Sequence, residues 1–338
     1  MNFLQRTSLY AKTTIKNWLT SQKTRRVAVA GALTVFGIAG LHRWTGFSTS
    51  TTMAQNINVP LPTMGGAQLW TDHLHRRGYR IQQNALTKHW RLLDPKNVRR
   101  AWGSRSDVQT ALDAIEPAAP APSDRPVVVL LHGLMRTDHC MKSLESQFHD
   151  AGFDQTIRFG YASTRGSLAE SATALREVLE SQSPEAEFAF VGHSMGNIVT
   201  RHLIGDLQAN GDPKNLLPRF RSMVMLGPPN HGAAIARRLG PTGVFGLVAG
   251  PGAMELGSRW VEVESKLATP DFPFAIVAGN VKTPVANPLV DGKGDFVVSL
   301  EEAKLNGAET VHEVPVLHSF LMDEPDVQSW TIHFVEQH

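Results

Sequence analysis

Phe188-Ala189-Phe190-Val191-Gly192-His193-Ser194-Met195-Gly196 carries a short apolar run into a serine flanked by glycines, and 197–207 (NIVTRHLIGDL) continues with helical spacing. An apolar run of this length, closed by a turn and followed by an amphipathic stretch, reads as strand, turn and helix. Glycines at 192 and 196 let strand and helix approach closely while the serine hydroxyl stays open on a sharp turn. The amino-terminal dipole of the helix points at the same place and favours a developing negative charge. Ser194 is therefore the candidate nucleophile.

Working outward, the chain repeats this alternation. Apolar runs occur at Val127–Leu131 (VVVLL), Thr156–Tyr161, Ser222–Leu226 (SMVML), Phe274–Ala278 (FAIVA) and Val311–Val316. Helix-like stretches at 167–181, 196–207, 232–239 and 326–335 lie among or after them. Buried strands separated by helices predict an α/β fold, a mainly parallel sheet with helices on both faces. Functional groups of such a sheet collect at the carboxyl ends of its strands. The VVVLL run leads directly into His132-Gly133-Leu134-Met135, a turn suited to supply one backbone N–H of an oxyanion site. The second would come from the residue after the nucleophile, so Leu134 and Met195 are the expected donors.

VVVLLHGL (127–134), VGHSMGN (191–197) and LGPPNHG (226–232) together resemble the α/β-hydrolase lipases and esterases, particularly the bacterial triacylglycerol-lipase-like branch. The resemblance covers about residues 126–338. It implies a Ser-acid-His order along the chain, with His318 as the base in a loop after the last strand. His312 falls within that strand and His333 and His338 in or beyond the closing helix, so they are poor candidates. LGPPNHG is similar to a pocket-shaping segment of the family, which makes His231 an unsuitable base. For the acid, Gly294-Asp295-Phe296-Val297 is similar to the family's D-G-x-V segment, with Phe296 where a glycine is common. Asp295 is preferred, and Asp291, with its own Asp-Gly pair, stays open as a rival. The Gly-rich apolar stretch 233–262 reads as a lid, a wall of an acyl pocket, or an ordinary helix with a loop.

The first 125 residues lie outside that resemblance. Residues 1–26 hold six bases and no acid, and removing those six leaves 27 basic against 31 acidic residues, so the basic balance belongs to the tail. No run of Lys or Arg follows, and a nucleic-acid partner is not expected. Val27–Leu41 is apolar and uncharged, and predicts an export signal or an amino-terminal membrane anchor, with cleavage undecided and the rest of the chain outside the cytoplasm. Residues 1–54 form this segment and its linker, the polar stretch running over 42–65, and 55–125 a preamble ending in the Pro/Ala hinge 116–123. The preamble predicts two strands, 79–83 and 89–93, and a helix at 108–115. The lone Cys140 excludes an intramolecular disulfide and reads as a buried helix residue. No cofactor fingerprint or metal-ligand spacing stands out, so no cofactor is expected and no metal ligand is assigned, with a structural metal left open. The function predicted is hydrolysis of a small-molecule or lipid ester. Acyl transfer or thioester hydrolysis on the same residues, and a non-catalytic binding module, are the alternatives.

Overall fold

Mixed polar and aromatic residues, rather than apolar runs, build the first part of the chain. It forms β1 (Leu61–Pro62), β2 (Trp70–Arg76), β3 (Tyr79–Asn84), β4 (Trp90–Leu93), β5 (Val98–Gly103) and α1 (Arg105–Ile115). The strands pair antiparallel in the order β1-β5-β4-β3-β2. Two strands were expected here and five are present; β1 lies inside the stretch read as linker. The missed strands lack apolar alternation because cations cover the tryptophans. Arg91 sits 3.9 Å over the Trp70 ring and Arg99 5.7 Å over Trp102, contacts that replace apolar neighbours. A small core of Ile81, Leu92, Val108 and Leu112 joins this sheet to α1.

The computed structural model describes residues 61–63, 68–115, 124–239, 244–281 and 292–338. The segment 1–54, the hinge 116–123 and Asp291 lie outside the described residues. Among those described, no helix is long and apolar enough to cross a membrane.

From Val127 onward, strands and helices alternate: β6 (Val127–Leu131), α2 (Lys142–Asp150), β7 (Thr156–Phe159), α3 (Leu168–Glu180), β8 (Phe188–His193) and α4 (Met195–Asn210). Then come β9 (Phe220–Leu226), α5 (Ala234–Leu239), α6 (Val244–Leu256), α7 (Trp260–Glu264), β10 (Phe274–Gly279), α8 (Leu300–Ala303), β11 (Thr310–Val314) and α9 (Pro325–Gln337). The strands form one parallel sheet in the order β11-β10-β9-β8-β6-β7. Side chains alternate between its faces, as the two-residue period of a strand requires. Val127, Val129 and Leu131 join Phe190, Met223, Leu175 and Ile198 on one side. Val128 and Leu130 join Val191, Val224, Phe148 and Phe334 on the other. Helices thus cover both faces, and all six carboxyl ends meet along one edge.

The N-terminal sheet is tied to that edge. Asp72 of β2 exchanges two hydrogen bonds with Gly160, just past β7: its N–H donates to the Gly160 carbonyl (2.8 Å), and its carboxylate accepts from the Gly160 N–H (2.7 Å). The same carboxylate accepts from Gln82 Nε2 (2.6 Å) and pairs with His75 Nε2 (3.0 Å) and, more distantly, Arg80 (3.8 Å). Burial alone would raise this carboxyl. The Arg80 and His75 charges and the hydrogen bonds from His75 and Gln82 overcome that and hold it at about 2.

Candidate active site

Ser194 directly follows β8, next to the middle of the sheet, and caps α4 with φ 53° and ψ −122°. A serine held there is strained. The N–H of Ser194 donates to the Leu226 carbonyl at the end of β9 (2.8 Å), which fixes the turn from the neighbouring strand. A Cβ on Gly196 would lie 2.8 Å from the Leu131 carbonyl oxygen and 2.9 Å from that of His132. Only a glycine lets α4 sit this close to β6. That strained serine between a central parallel strand and its tightly packed helix decides the architecture. This is the α/β-hydrolase fold.

Gly196→Ala is accordingly expected to destabilise the protein by about 2 kcal/mol, since backbone rather than flexible side chain must move. It is also expected to lower any turnover that depends on Ser194, by shifting that residue against the 132–134 loop. Urea unfolding beside an activity assay checks both.

The loop after β6 passes against the serine: a Cβ on Gly133 would stand 3.0 Å from Ser194 Cβ. Gly133–Arg136 is a turn closed by Arg136 N–H to the Gly133 carbonyl (3.2 Å), with Met135 in the left-handed region at φ 58°. The Met135 N–H donates to Ser163 Oγ (3.1 Å). The Leu134 N–H takes no part in the turn hydrogen bonds. Met195 N–H opens α4 and has no intrahelical acceptor. His132 anchors the loop from beneath. Its Nδ1–H donates to the Gly133 carbonyl (2.9 Å), its Nε2 accepts from Tyr161 N–H (3.3 Å), and its ring stacks on Tyr161 at 4.2 Å. Burial lowers the His132 pKa, which keeps the imidazole neutral and able to fill both roles.

His318 opens the 3-10 turn His318–Asp323 that follows β11. Its Nδ1–H donates to Asp295 Oδ2 (2.7 Å), and its backbone N–H to the Asp295 carbonyl (3.1 Å). Asp295 Oδ1 accepts from the N–H groups of Val297 (3.0 Å) and Val298 (2.8 Å). Both side chains are buried. Phe296, where the family pattern favours glycine, adopts φ 77°; the tight turn that aims the Asp295 carboxylate is kept with a residue unsuited to it. No hydrogen bond joins Ser194 Oγ to His318 in this structure, and such contacts are often loose before substrate arrives.

The other histidines stand elsewhere. His231 is exposed, 3.6 Å from Glu264. His312 stacks on Trp330 at 5.1 Å, His333 bonds Gln337, and His338 faces Glu309. One residue that motif reading passed over belongs to the site. His193 Nε2–H donates to the His318 carbonyl (2.9 Å), with the two rings 4.8 Å apart. Burial, and then the neighbouring His318, hold His193 well below the ordinary histidine range, so it stays neutral. Its place inside the Gly-His-Ser-Met-Gly turn was a signal that could have singled it out.

The described residues of the stretch 233–262 carry α5, α6 and the start of α7, with 240–243 outside the described residues. At Gly250-Pro251 the helix α6 is kinked, and a Cβ on Gly252 would lie 3.0 Å from Met195 Sδ and 2.9 Å from the Ser163 carbonyl oxygen. That end of α6 packs against the Met195 side chain and the Ser163 carbonyl. Among the described residues no group of His, Cys, Asp and Glu is placed to hold a metal ion. A separate cleft of about 800 Å³, lined by charged groups such as Arg80, Asp138 and Arg158, opens by Val127 and Thr156. The cleft runs beside the edge strand β7, from these strand starts to Arg80 and Asp138, which stand near Asp72 and Gly160.

No family model matches the sequence, and no curated protein is similar to it at the level of sequence. Solved structures similar to this chain include the mature form of a Bacillus licheniformis lipase, with 15% identity, a TM-score of 0.49, and coverage of 64% of this chain and 95% of that one. A metagenomic carboxyl esterase shares 14% identity at a TM-score of 0.45, covering 65% and 77% of the two chains. A thioesterase of the prodiginine pathway of Streptomyces coelicolor shares 18% at a TM-score of 0.40, covering 65% and 96%.

Proposed function

We propose that the protein hydrolyses carboxylic esters through an acyl-Ser194 intermediate. The observation that carries this is the convergence, at one sheet edge, of a strained serine, a buried His318–Asp295 pair joined at 2.7 Å, and a turn running against the serine. In the acylation step Ser194 Oγ attacks the ester carbonyl carbon while His318 Nε2 takes the hydroxyl proton. The oxyanion is held by the Leu134 and Met195 N–H groups. Collapse breaks the bond to the alkoxy group, which leaves with the proton from His318. A water molecule then gives its proton to His318 and attacks the acyl-serine, and the returning proton restores the Ser194 hydroxyl as the acid departs. Asp295 holds the imidazole in the tautomer with Nδ1 protonated and stabilises the imidazolium in both steps.

Met135, Leu317 and Phe320 expose apolar side chains directly beside Leu134 and His318, which favours an ester with an apolar acyl or alkyl part. The basic and apolar segments at 1–26 and 27–41 support placing the catalytic unit outside the cytoplasm.

The test is pre-steady-state hydrolysis of p-nitrophenyl butyrate by the full chain, with a fluorophosphonate probe alongside. A burst approaching one equivalent of p-nitrophenol and a covalent mass increment on the peptide carrying Ser194 are expected. No ester turnover together with an unlabelled Ser194 would overturn the proposal. Preference for added alcohol or a thioester over water and an oxygen ester would shift it to acyl transfer or thioesterase chemistry.

A further inference from the structure

The N-terminal sheet contributes to the turn that carries Leu134. Gln68, two residues before β2, donates from Nε2 to the carbonyl of Arg136 (2.6 Å). Its Oε1 accepts from the hydroxyl of Ser163 (2.9 Å), and that hydroxyl oxygen accepts from the N–H of Met135 (3.1 Å). One amide side chain therefore closes a ring of hydrogen bonds that grips both the N–H of Met135 and the C=O of Arg136. Ser163 is fully buried, and its own placement comes from the same part of the chain. Ala162 N–H donates to Thr71 Oγ1 (3.1 Å), and Gly160 N–H donates to Asp72 (2.7 Å).

The grip falls where the turn is least stable by itself. Met135 holds φ 58° without being a glycine, and a non-glycine residue at such a turn position relaxes by rotating the preceding peptide plane. Rotation of the 134–135 peptide would withdraw the Met135 N–H from Ser163 Oγ and turn the Leu134 carbonyl, which removes the constraint on the adjoining 133–134 peptide that carries the Leu134 N–H. We propose that Gln68 is a positioning residue for catalysis: with Ser163 it locks the Gly133–Arg136 turn so that the Leu134 N–H stays aimed at the developing oxyanion. The proposal rests on the ester-hydrolase function above. Gln68 touches no reacting atom; it acts through the loop.

A lock of this kind matters to the tetrahedral state more than to the bound ester, because only the former places a full charge on the donors. In the full-length protein, Gln68→Met, near in size but without the amide, is expected to lower kcat on p-nitrophenyl butyrate about tenfold, a fraction of the loss seen when a donor is removed outright. KM should move by less than about twofold, and inhibition by a trifluoromethyl ketone, which forms a tetrahedral adduct, should weaken about tenfold. Gln68→Glu keeps an acceptor for Ser163 but loses the donor to Arg136, and should show the same split. Ser163→Ala should resemble Gln68→Met, and the double variant should cost no more than about either single one, because both break one ring. Unchanged kcat in Gln68→Met and Gln68→Glu would overturn the proposal. So would a kcat loss unaccompanied by weaker ketone binding, or losses that multiply in the double variant. If the wild type neither turns over ester nor labels at Ser194, the parent function fails and this proposal with it; an active wild type with insensitive Gln68 variants removes this proposal alone.

Discussion

Alanine in place of Ser194 is expected to lower ester turnover by roughly 10⁵–10⁶-fold, with thermal unfolding little changed. The side chain lost is one hydroxyl. The φ of 53° at this position is as awkward for alanine as for serine, so the backbone has no new reason to relax. His318→Ala should cost about as much, since serine without a base is a poor nucleophile near neutral pH. The pair of substitutions together should be no worse than either alone, because the two groups act as a unit. Asp295→Asn belongs to the same series. Asparagine can still accept the N–H groups of Val297 and Val298, but its amide presents the wrong partner to one imidazole tautomer. A loss of about 10⁴-fold is expected with the loop intact. The measurement is kcat for each variant beside its circular-dichroism melting curve. A Ser194→Ala protein that retains a few per cent of turnover would remove Ser194 from the chemistry.

The largest effect on stability is expected at Asp72. Its carboxylate serves Gly160, Gln82, His75 and the more distant Arg80 at once, with no exposed surface of its own. Asp72→Ala leaves the Gly160 and Gln82 donors without their acceptor and removes a counter-charge from Arg80. A loss of about 3–5 kcal/mol is expected, the range for breaking one side of a buried charged network. Urea unfolding checks it as a lower midpoint, and a shift worth less than about 1 kcal/mol would show the network to be dispensable. The same residue sets part of the acid sensitivity. Its pKa falls from an ordinary 3.8 to about 2 on folding, so the unfolded chain binds the proton more readily. The stabilisation, about 2 kcal/mol by linkage, is complete above pH 3.8 and disappears as the pH falls towards 2. In Asp72→Ala this increment should vanish from the difference between stability at pH 6 and at pH 2.

The parallel sheet was legible because its strands are buried on both faces, so Val127–Leu131 or Phe188–Val191 needs no alternation to be recognised. The serine turn was legible because strand, glycines and helix coincide within a few residues. The histidine and the carboxylate that the fold brings together were readable through the family resemblance, with Asp291 left open beside Asp295, although nothing in the chain gave their separation. The antiparallel sheet was largely hidden. β2 and β5 carry Asp72, His73, His75, Arg99 and Arg100, residues that argue against a strand until the hydrogen bonds and tryptophan stacks that accommodate them are seen. Phe296 was visible as a departure from pattern, but its φ of 77° was not. Gln68 gave no signal at all, because its partners lie 68 and 95 residues further along the chain.

The attachments of Gln68, Thr71 and Asp72 to the catalytic edge fall within one short strip of chain, 68–72. Modularity is therefore narrower than the Pro/Ala hinge suggests. A core cut at that hinge would leave behind the partners of Gly160, Ala162 and Ser163, and a foreign preamble would have to reproduce this strip in register together with His75, Arg80 and Gln82, which hold Asp72. Divergence among descendants of this chain would then be free on the outer strands and constrained at these few positions, a pattern of inheritance set by a seam and not by the pocket.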